Sequence, residues 1–297
     1  TRESILAARI VSVSAAPYDG HDFPRALDSL AACGVRHVEP AFIVGYTEAF
    51  DESAFANDKA LLYARWLIES GVACHAFSSH IDLGRDDAVD VFRGRMDFAA
   101  RLGAKVINTN AAARHLGTRF FSNIEVLARH AEDLGLIIGL ENPGDGSDSL
   151  INTAQDGIDL LDRLGFSSVR FNYDAGNTIS HRPEGLPGGV NPAADAVLAL
   201  PYCGHAHIKD VRATADGYFF TPLGQGDVDC ASILHAVAST SLDISIELPL
   251  RLHRLPNAQP QRGREPIPLT LLEEAIEISL AFVNQHLAIN ASSKENP

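Results

Sequence analysis

His205 and His207 alternate with small and apolar residues in the stretch Gly204-His205-Ala206-His207-Ile208-Lys209-Asp210. Side chains along a strand point to opposite faces in turn, so His205, His207 and Lys209 share one face. Two imidazoles and an ammonium on one strand face need a polar interior. Three other strand-like stretches end in a carboxylate: Leu136–Glu141, Val169–Asp174 and Ile244–Glu247. Glu141, Asp174, His207 and Glu247 are separated by 33, 33 and 40 residues, about one strand–helix unit each. Three carboxylates brought close together repel, and burial sharpens the conflict. A divalent cation removes it. Three oxygens and one imidazole suit a fairly hard ion, Mn²⁺ first, with Mg²⁺, Co²⁺ and Zn²⁺ as alternatives. Alone, each residue has a plainer reading, as a helix cap, a surface acid or a core histidine. Four in the same phase on successive strands point to a metal site.

The elements that must carry these residues are legible from punctuation. Apolar-periodic segments end at Gly34, Gly71, Gly103, Gly135 and Gly165, at intervals of 37, 32, 32 and 30 residues. Each glycine precedes a β-branched or apolar run. Glycine just past a helix turns the chain into the next strand, so the repeat predicts βα units and a parallel sheet. Strands are expected at Arg9–Ser14, Val35–Glu39, Val72–Ser78, Ala104–Thr109, Leu136–Glu141, Val169–Asp174, Gly204–Asp210 and Ile244–Glu247. Helices are expected at Phe23–Cys33, Ser53–Ser70, Asp87–Leu102, Ser122–Leu134, Thr153–Leu164, Pro192–Leu200, Ser232–Ser239 and Leu269–Leu287. Asp51 or Ser53 would cap the second helix and Asn191 the sixth. Eight of each predict a closed (β/α)₈ TIM barrel, whose catalytic groups gather at the C-terminal ends of the strands. An open doubly wound sheet would need a glycine-rich fingerprint after the first strand, where Ser14–Gly20 has none. The chain reads as one domain over 1–297, with a frayed tail at 289–297.

Composition narrows the partners. A net charge of −14 on 297 residues argues against a nucleic-acid backbone or an anionic membrane surface. It is compatible with a small polyhydroxylated substrate and a cation. Four cysteines without metal-type spacing read as reduced, buried residues. No run reaches membrane-span length and no signal peptide opens the chain, so a cytoplasmic protein is expected.

The runs Gly139-Leu140-Glu141-Asn142, Tyr173-Asp174-Ala175-Gly176-Asn177, Gly204–Asp210, Gly224-Gln225-Gly226-Asp227-Val228-Asp229 and Ile246-Glu247 together resemble the xylose-isomerase-like barrels. That family includes sugar isomerases and epimerases, inosose dehydratases and family-2 AP endonucleases. The resemblance implies that Glu141, Asp174, His207 and Glu247 hold one divalent ion, with Glu141 and Glu247 also the acid–base pair. It implies a metal-dependent isomerase or epimerase that moves a proton α to a carbonyl through an enediolate, and a homo-oligomer, dimer or tetramer. The alternatives are a lyase using the same groups, a DNA-repair enzyme, which the charge opposes, and a non-catalytic metal-binding barrel. Two positions depart from the pattern of free-ketose epimerases. Asn177 stands where they carry a His, and Ala213 where they carry an Arg, with Arg212 one place earlier. Both changes argue against a free-ketose 3-epimerase and leave the metal set untouched.

Further substrate-binding candidates follow from position. Asn177 could hold a hydroxyl. Lys209 could favour an enolate or hold a hydroxyl, or pair with Asp210. Glu39, ending the second strand, could accept substrate hydroxyls or support a nearby His or Arg. His75 could reach the mouth or be a core imidazole. Asn108 and Asn110 could contact a polyol or satisfy a turn, and Arg212 could replace the missing arginine. The basic segment Arg251–Arg264 follows the last strand with no obvious regular structure, and would be a lid, an anion clamp, a subunit contact or a solvated loop.

Overall fold

The structure, a computed structural model, describes residues 8–184, 186 and 189–292. In order the elements are β1 (Val11–Ser14), α1 (Phe23–Ala32), β2 (His37–Glu39), α2 (Asn57–Ser70), β3 (Ala73–Cys74), β4 (Ala76–Ser78) and α3 (Ala88–Arg101). Next come β5 (Val106–Asn110), α4 (Gly117–Leu134), β6 (Ile137–Glu141), α5 (Ala154–Leu164), β7 (Val169–Asp174), α6 (Ala175–Ser180) and α7 (Pro192–Ala199). The last are β8 (Cys203–Ile208), β9 (Asp210–Thr214), β10 (Gly217–Thr221), α8 (Cys230–Ala238), β11 (Ile244–Ile246), β12 (Leu252–Arg254), β13 (Pro260–Arg262) and α9 (Leu269–Ser292).

Parallel pairing runs β3-β2-β1-β11-β8-β7-β6-β5-β4. Only His75 parts β3 from β4, so the two ends of this ladder are halves of one strand. The sheet therefore closes into an eight-stranded barrel, as the glycine period predicts. Helix starts follow local chemistry. Thr153 and Asp156 form a reciprocal capping box on α5, and Asn191 caps α7 ahead of Pro192. Asp51 instead caps a short 3₁₀ turn at Glu52–Phe55, and α2 begins beyond it with no side-chain cap. Gly185, Pro187 and Gly188 lie outside the described residues. Of the expected frayed tail, 289–292 continue α9 and 293–297 lie outside the described residues.

One layer is unanticipated. β9, β10, β12 and β13 form a second, antiparallel sheet from the segments that follow β8 and β11. The basic segment is thus a hairpin, β12–β13, seated on β10 with Tyr218 opposite Arg254. Asp19 fastens it: its carboxylate meets Arg251 Nη1 at 3.2 Å and Arg262 Nε at 2.6 Å. Among the described residues no helix is long and apolar enough to cross a membrane.

Candidate metal centre

Strand register builds the site. Glu141 and Asp174 are the last residues of β6 and β7, His207 is next to last in β8, and Glu247 directly follows β11. Asp174 stands opposite His207 in the β7–β8 pairing, and His207 opposite Ser245 in the next. The shared phase points all four side chains to the barrel axis at its C-terminal mouth. Each is buried, and each offers one ligand atom within 4.8 Å of the others. His207 Nδ1 lies 2.7 Å from Glu141 Oε1, 3.4 Å from Glu247 Oε2 and 3.6 Å from Asp174 Oδ2.

Whether these groups suit a cation can be judged from their hydrogen bonding. His207 Nδ1 and Asp174 Oδ2 are buried without a hydrogen-bond partner, despite their close neighbours. The contacts are short but misdirected, as expected of ligand atoms aimed at a common centre rather than at each other. The other imidazole nitrogen is committed: His207 Nε2 donates to Glu39 Oε1 at 2.7 Å. Glu39 is fully buried and also accepts from the hydroxyls of Ser78 and Ser245. A carboxylate behind the imidazole fixes the tautomer that leaves Nδ1 free for a metal. Charge agrees. Four buried carboxylates (Glu39, Glu141, Asp174, Glu247) face one buried ammonium, Lys209. A divalent ion and an imidazolium at His80 would bring the sum to zero.

The titration behaviour reflects the same crowding. Burial pushes each carboxylate up, but imidazoles oppose it. His207 brings Glu39 down to about 2, and His80 with His207 brings Glu141 to about 2. Against burial, Lys209 and His207 hold Glu247 well below the usual range. For Asp174 burial wins over Lys209, and its pKa is raised. Burial would lower His207, yet Glu39, Glu247 and Glu141 raise it well above the ordinary histidine value. A cation entering the site must displace that proton.

Around this centre lies a cavity of about 270 Å³, lined by Glu141 and Glu247 and, on the sequence-predicted side, by Lys209, Asn177 and Asn110. Lys209 Nζ is 2.7 Å from Asp174 Oδ2 and 2.9 Å from Glu247 Oε2. It also donates to Asn177 Oδ1 at 2.9 Å. Gly176 makes room for it, since a Cβ there would lie 2.8 Å from Lys209 Cγ. Asp210, the partner expected as an alternative, instead accepts the backbone amides of Val211, Gly224, Gly226 and Val228.

Three candidates lie elsewhere than expected of substrate contacts. Glu39 lies beneath the mouth, where its carboxylate is already shared by His207, Ser78 and Ser245. His75 pairs with Asp243 at 3.1 Å, ahead of β11 at the N-terminal end of the barrel. Arg212 is exposed on β9 and donates to the Gln225 carbonyl. Asn108 is also internal, bridging Glu39 and His205.

Sequence reasoning passes over several contributors. His80 Nε2 lies 2.6 Å from Glu141 Oε2, and Asn172 Nδ2 donates to Glu141 Oε1 at 2.9 Å. Asn142 receives the Asp174 amide at 2.8 Å. Arg254 reaches the cavity from β12. His80 was detectable as the polar residue just past a predicted strand end. Arg254 belongs to the basic segment expected as a lid, an anion clamp, a subunit contact or a solvated loop, but its place in the cavity was not legible, because its strand pairs with a partner more than thirty residues earlier.

Comparison with known proteins agrees with this architecture. The family model described as "Xylose isomerase-like TIM barrel" matches residues 27–265. No curated protein matches the chain. Among solved structures, a D-psicose 3-epimerase from Clostridium cellulolyticum H10 superposes with a TM-score of 0.71 at 15% identity, over 94% of this chain and 99% of that one. A xylose isomerase-like TIM barrel protein from Mycobacterium smegmatis, in complex with magnesium, gives 0.70 at 17% identity, over 95% and 99%. The probable 3-DHS dehydratase AsbF from Bacillus anthracis gives 0.66 at 14%, over 92% and 98%. At such identities these likenesses establish the fold. With the family model spanning most of the barrel, the chain belongs to the xylose isomerase-like TIM barrel family.

Proposed function

We propose that this protein is a divalent-metal-dependent isomerase or epimerase that moves a proton α to a carbonyl in a sugar, keto-sugar or cyclic polyol. The observation that carries the reading is the convergence of Glu141, Asp174, His207 and Glu247, with His207 Nδ1 and Asp174 Oδ2 making no hydrogen bond in the middle. These four residues would hold the ion, Mn²⁺ first, with Mg²⁺, Co²⁺ or Zn²⁺ as alternatives. When bound it supplies the electrophile that makes the α-proton acidic. Glu141 and Glu247 carry the proton. Glu247, kept ionised by Lys209, is set to remove it. Glu141, hydrogen-bonded to His80, can return one from the other side. Lys209 and Asn177 meet substrate oxygens at the floor, and Asn110 on the far rim. The protein works in the cytoplasm as a homo-oligomer, without nucleic acid or membrane.

A second reading, a lyase on the same groups, draws support from Asn177 and Ala213, which depart from the free-ketose pattern, and from the fold shared with a probable dehydratase. Loss of a β-hydroxyl would then follow proton removal in place of reprotonation. Incubation with Mn²⁺ and a panel of keto-sugars and inososes in D₂O tests both. Solvent deuterium at carbon with mass otherwise conserved supports the first reading, and loss of water the second. Neither outcome on any substrate, with metal bound, leaves a non-catalytic barrel.

A further inference from the structure

We infer that the substrate carries a carboxylate, held apart from the reacting carbons by Arg254; this rests on reading the mouth as the polyol site. Arg254 ends β12, lines the cavity and is only 5% exposed. Its Nη1 donates to the Ala258 carbonyl at 3.0 Å, while Nη2 and Nε donate to none of the described residues. No carboxylate among the described residues pairs with it. The neighbouring arginines differ: Arg251 and Arg262 both spend their charge on Asp19. Asp145, an acid on the same wall, is occupied with the Ser147 amide and hydroxyl at 3.0 and 2.6 Å. Neither free nitrogen is among the sealed, unpartnered atoms of the described residues, so both face the cavity, where an anion entering the mouth meets unused donors.

Its surroundings are shaped for that anion. The guanidinium lies over the Tyr46 ring, 5.5 Å from the centroid. Ala258, whose carbonyl anchors Nη1, adopts a left-handed φ of 68° that alanine rarely takes. Gly144 stands between Arg254 and the cavity floor. A Cβ there would lie 3.1 Å from Arg254 Nη2 and 2.9 Å from Asn177 Oδ1, so the missing methyl leaves one small gap joining the two. Asn177 in turn holds Lys209, the group nearest the proposed chemistry. One ligand can therefore span from the metal centre to Arg254. A single guanidinium with one nitrogen already committed matches a monoanion. A phosphate dianion would bury a second charge with no counterpart on that wall.

The test is competitive calorimetry on the Mn²⁺-loaded protein with matched pairs: hexuronates against hexoses and aldonates against alditols, plus hexose 6-phosphates. At least one acid should bind about tenfold more tightly than its neutral counterpart, the scale of one charge-assisted hydrogen-bond pair. Arg254→Met should bring that ratio to near unity, and Arg254→Lys should keep part of it. Mn²⁺ titration of each sample separates the two readings. Lost preference with intact Mn²⁺ binding concerns Arg254 alone, whereas absent Mn²⁺ binding overturns the metal centre and leaves the acid preference to stand by itself. The assignment fails if no acid outbinds its neutral partner, if the phosphate esters outbind the acids, or if the preference survives Arg254→Met. Should that variant not fold, the wild-type ranking still decides.

Discussion

The side chain that would set the chemistry of the proposed metal site is Glu39, which cannot touch a metal held by Nδ1 of His207. Its bond to His207 Nε2 chooses which nitrogen is free. Glu39→Gln should weaken Mn²⁺ binding by about 10- to 100-fold while the barrel stays folded, as read by calorimetric titration. Unchanged affinity would show that the tautomer needs no help. His207 adds a pH dependence. Its raised pKa means that it is protonated in the metal-free protein, so binding releases a proton and affinity should rise with pH, up to about tenfold per unit. Titrations in buffers of different ionisation enthalpy measure that release. His205 behaves oppositely. Burial lowers it to about 4. Between its unfolded value near 6.5 and about 4, the unfolded chain binds the proton and the folded chain does not. Stability is therefore lost as pH falls through that window, by roughly 2 kcal/mol at pH 5. Urea unfolding at pH 5 and 8 should show a slope that His205→Gln flattens; an identical slope in both proteins would contradict this. The four proposed ligands were legible because each sits at or next to a strand end in a regular series. Support for a nearby His or Arg was one of two readings open for Glu39; that the partner is His207 was not legible, since 168 residues of separation leave no mark on local spacing.

Elements differ in how far local pattern determines them. The βα units are visible because each pairs a 3.6-residue helical stripe with a glycine joint and a short β-branched strand. Gly71, Gly135 and Gly165 indeed take the left-handed conformation at helix ends. The antiparallel layer is invisible by the same logic. β12 and β13 are three residues each and basic; β13 pairs only with β12, and β12 pairs with chain far behind it. The missed cue was Asp216-Gly217, a hairpin dipeptide ahead of Tyr218-Phe219-Phe220. This layer carries Arg254, so the proposed anion contact depends on its anchorage. Asp19 is the anchor, with its side chain only 2% exposed between two guanidinium groups. Asp19→Asn should cost about 3 kcal/mol, the scale for removing one member of a buried pair. The loss should be local. Hydrogen exchange ought to accelerate across 250–264 and leave β6 and β7 protected, and uniform acceleration would mean that Asp19 supports the whole barrel instead.

At the scale of the molecule, a −14 chain concentrates four carboxylates inside its own barrel, where burial opposes their charge. Such an interior is arranged for a ligand rather than for stability, and the two should trade against each other. Asp174 is where the trade can be measured, because it is the carboxylate of the four whose ionisation burial most successfully opposes. Its Oδ1 caps α6 through the Gly176 and Asn177 amides, a role asparagine can also fill. Asp174→Asn therefore removes buried charge but keeps the cap. Without metal, the variant should melt no lower than the wild type. With Mn²⁺ at about 100 times the wild-type Kd, the wild type should gain roughly 2.7 kcal/mol and the variant almost nothing. EDTA should return the wild type to the variant's level. Scanning calorimetry with and without Mn²⁺ reads all four states. A metal-free variant melting far below the wild type would show that the Asp174 charge serves the fold through Lys209, and a preserved Mn²⁺ gain would remove Asp174 from the ligand set.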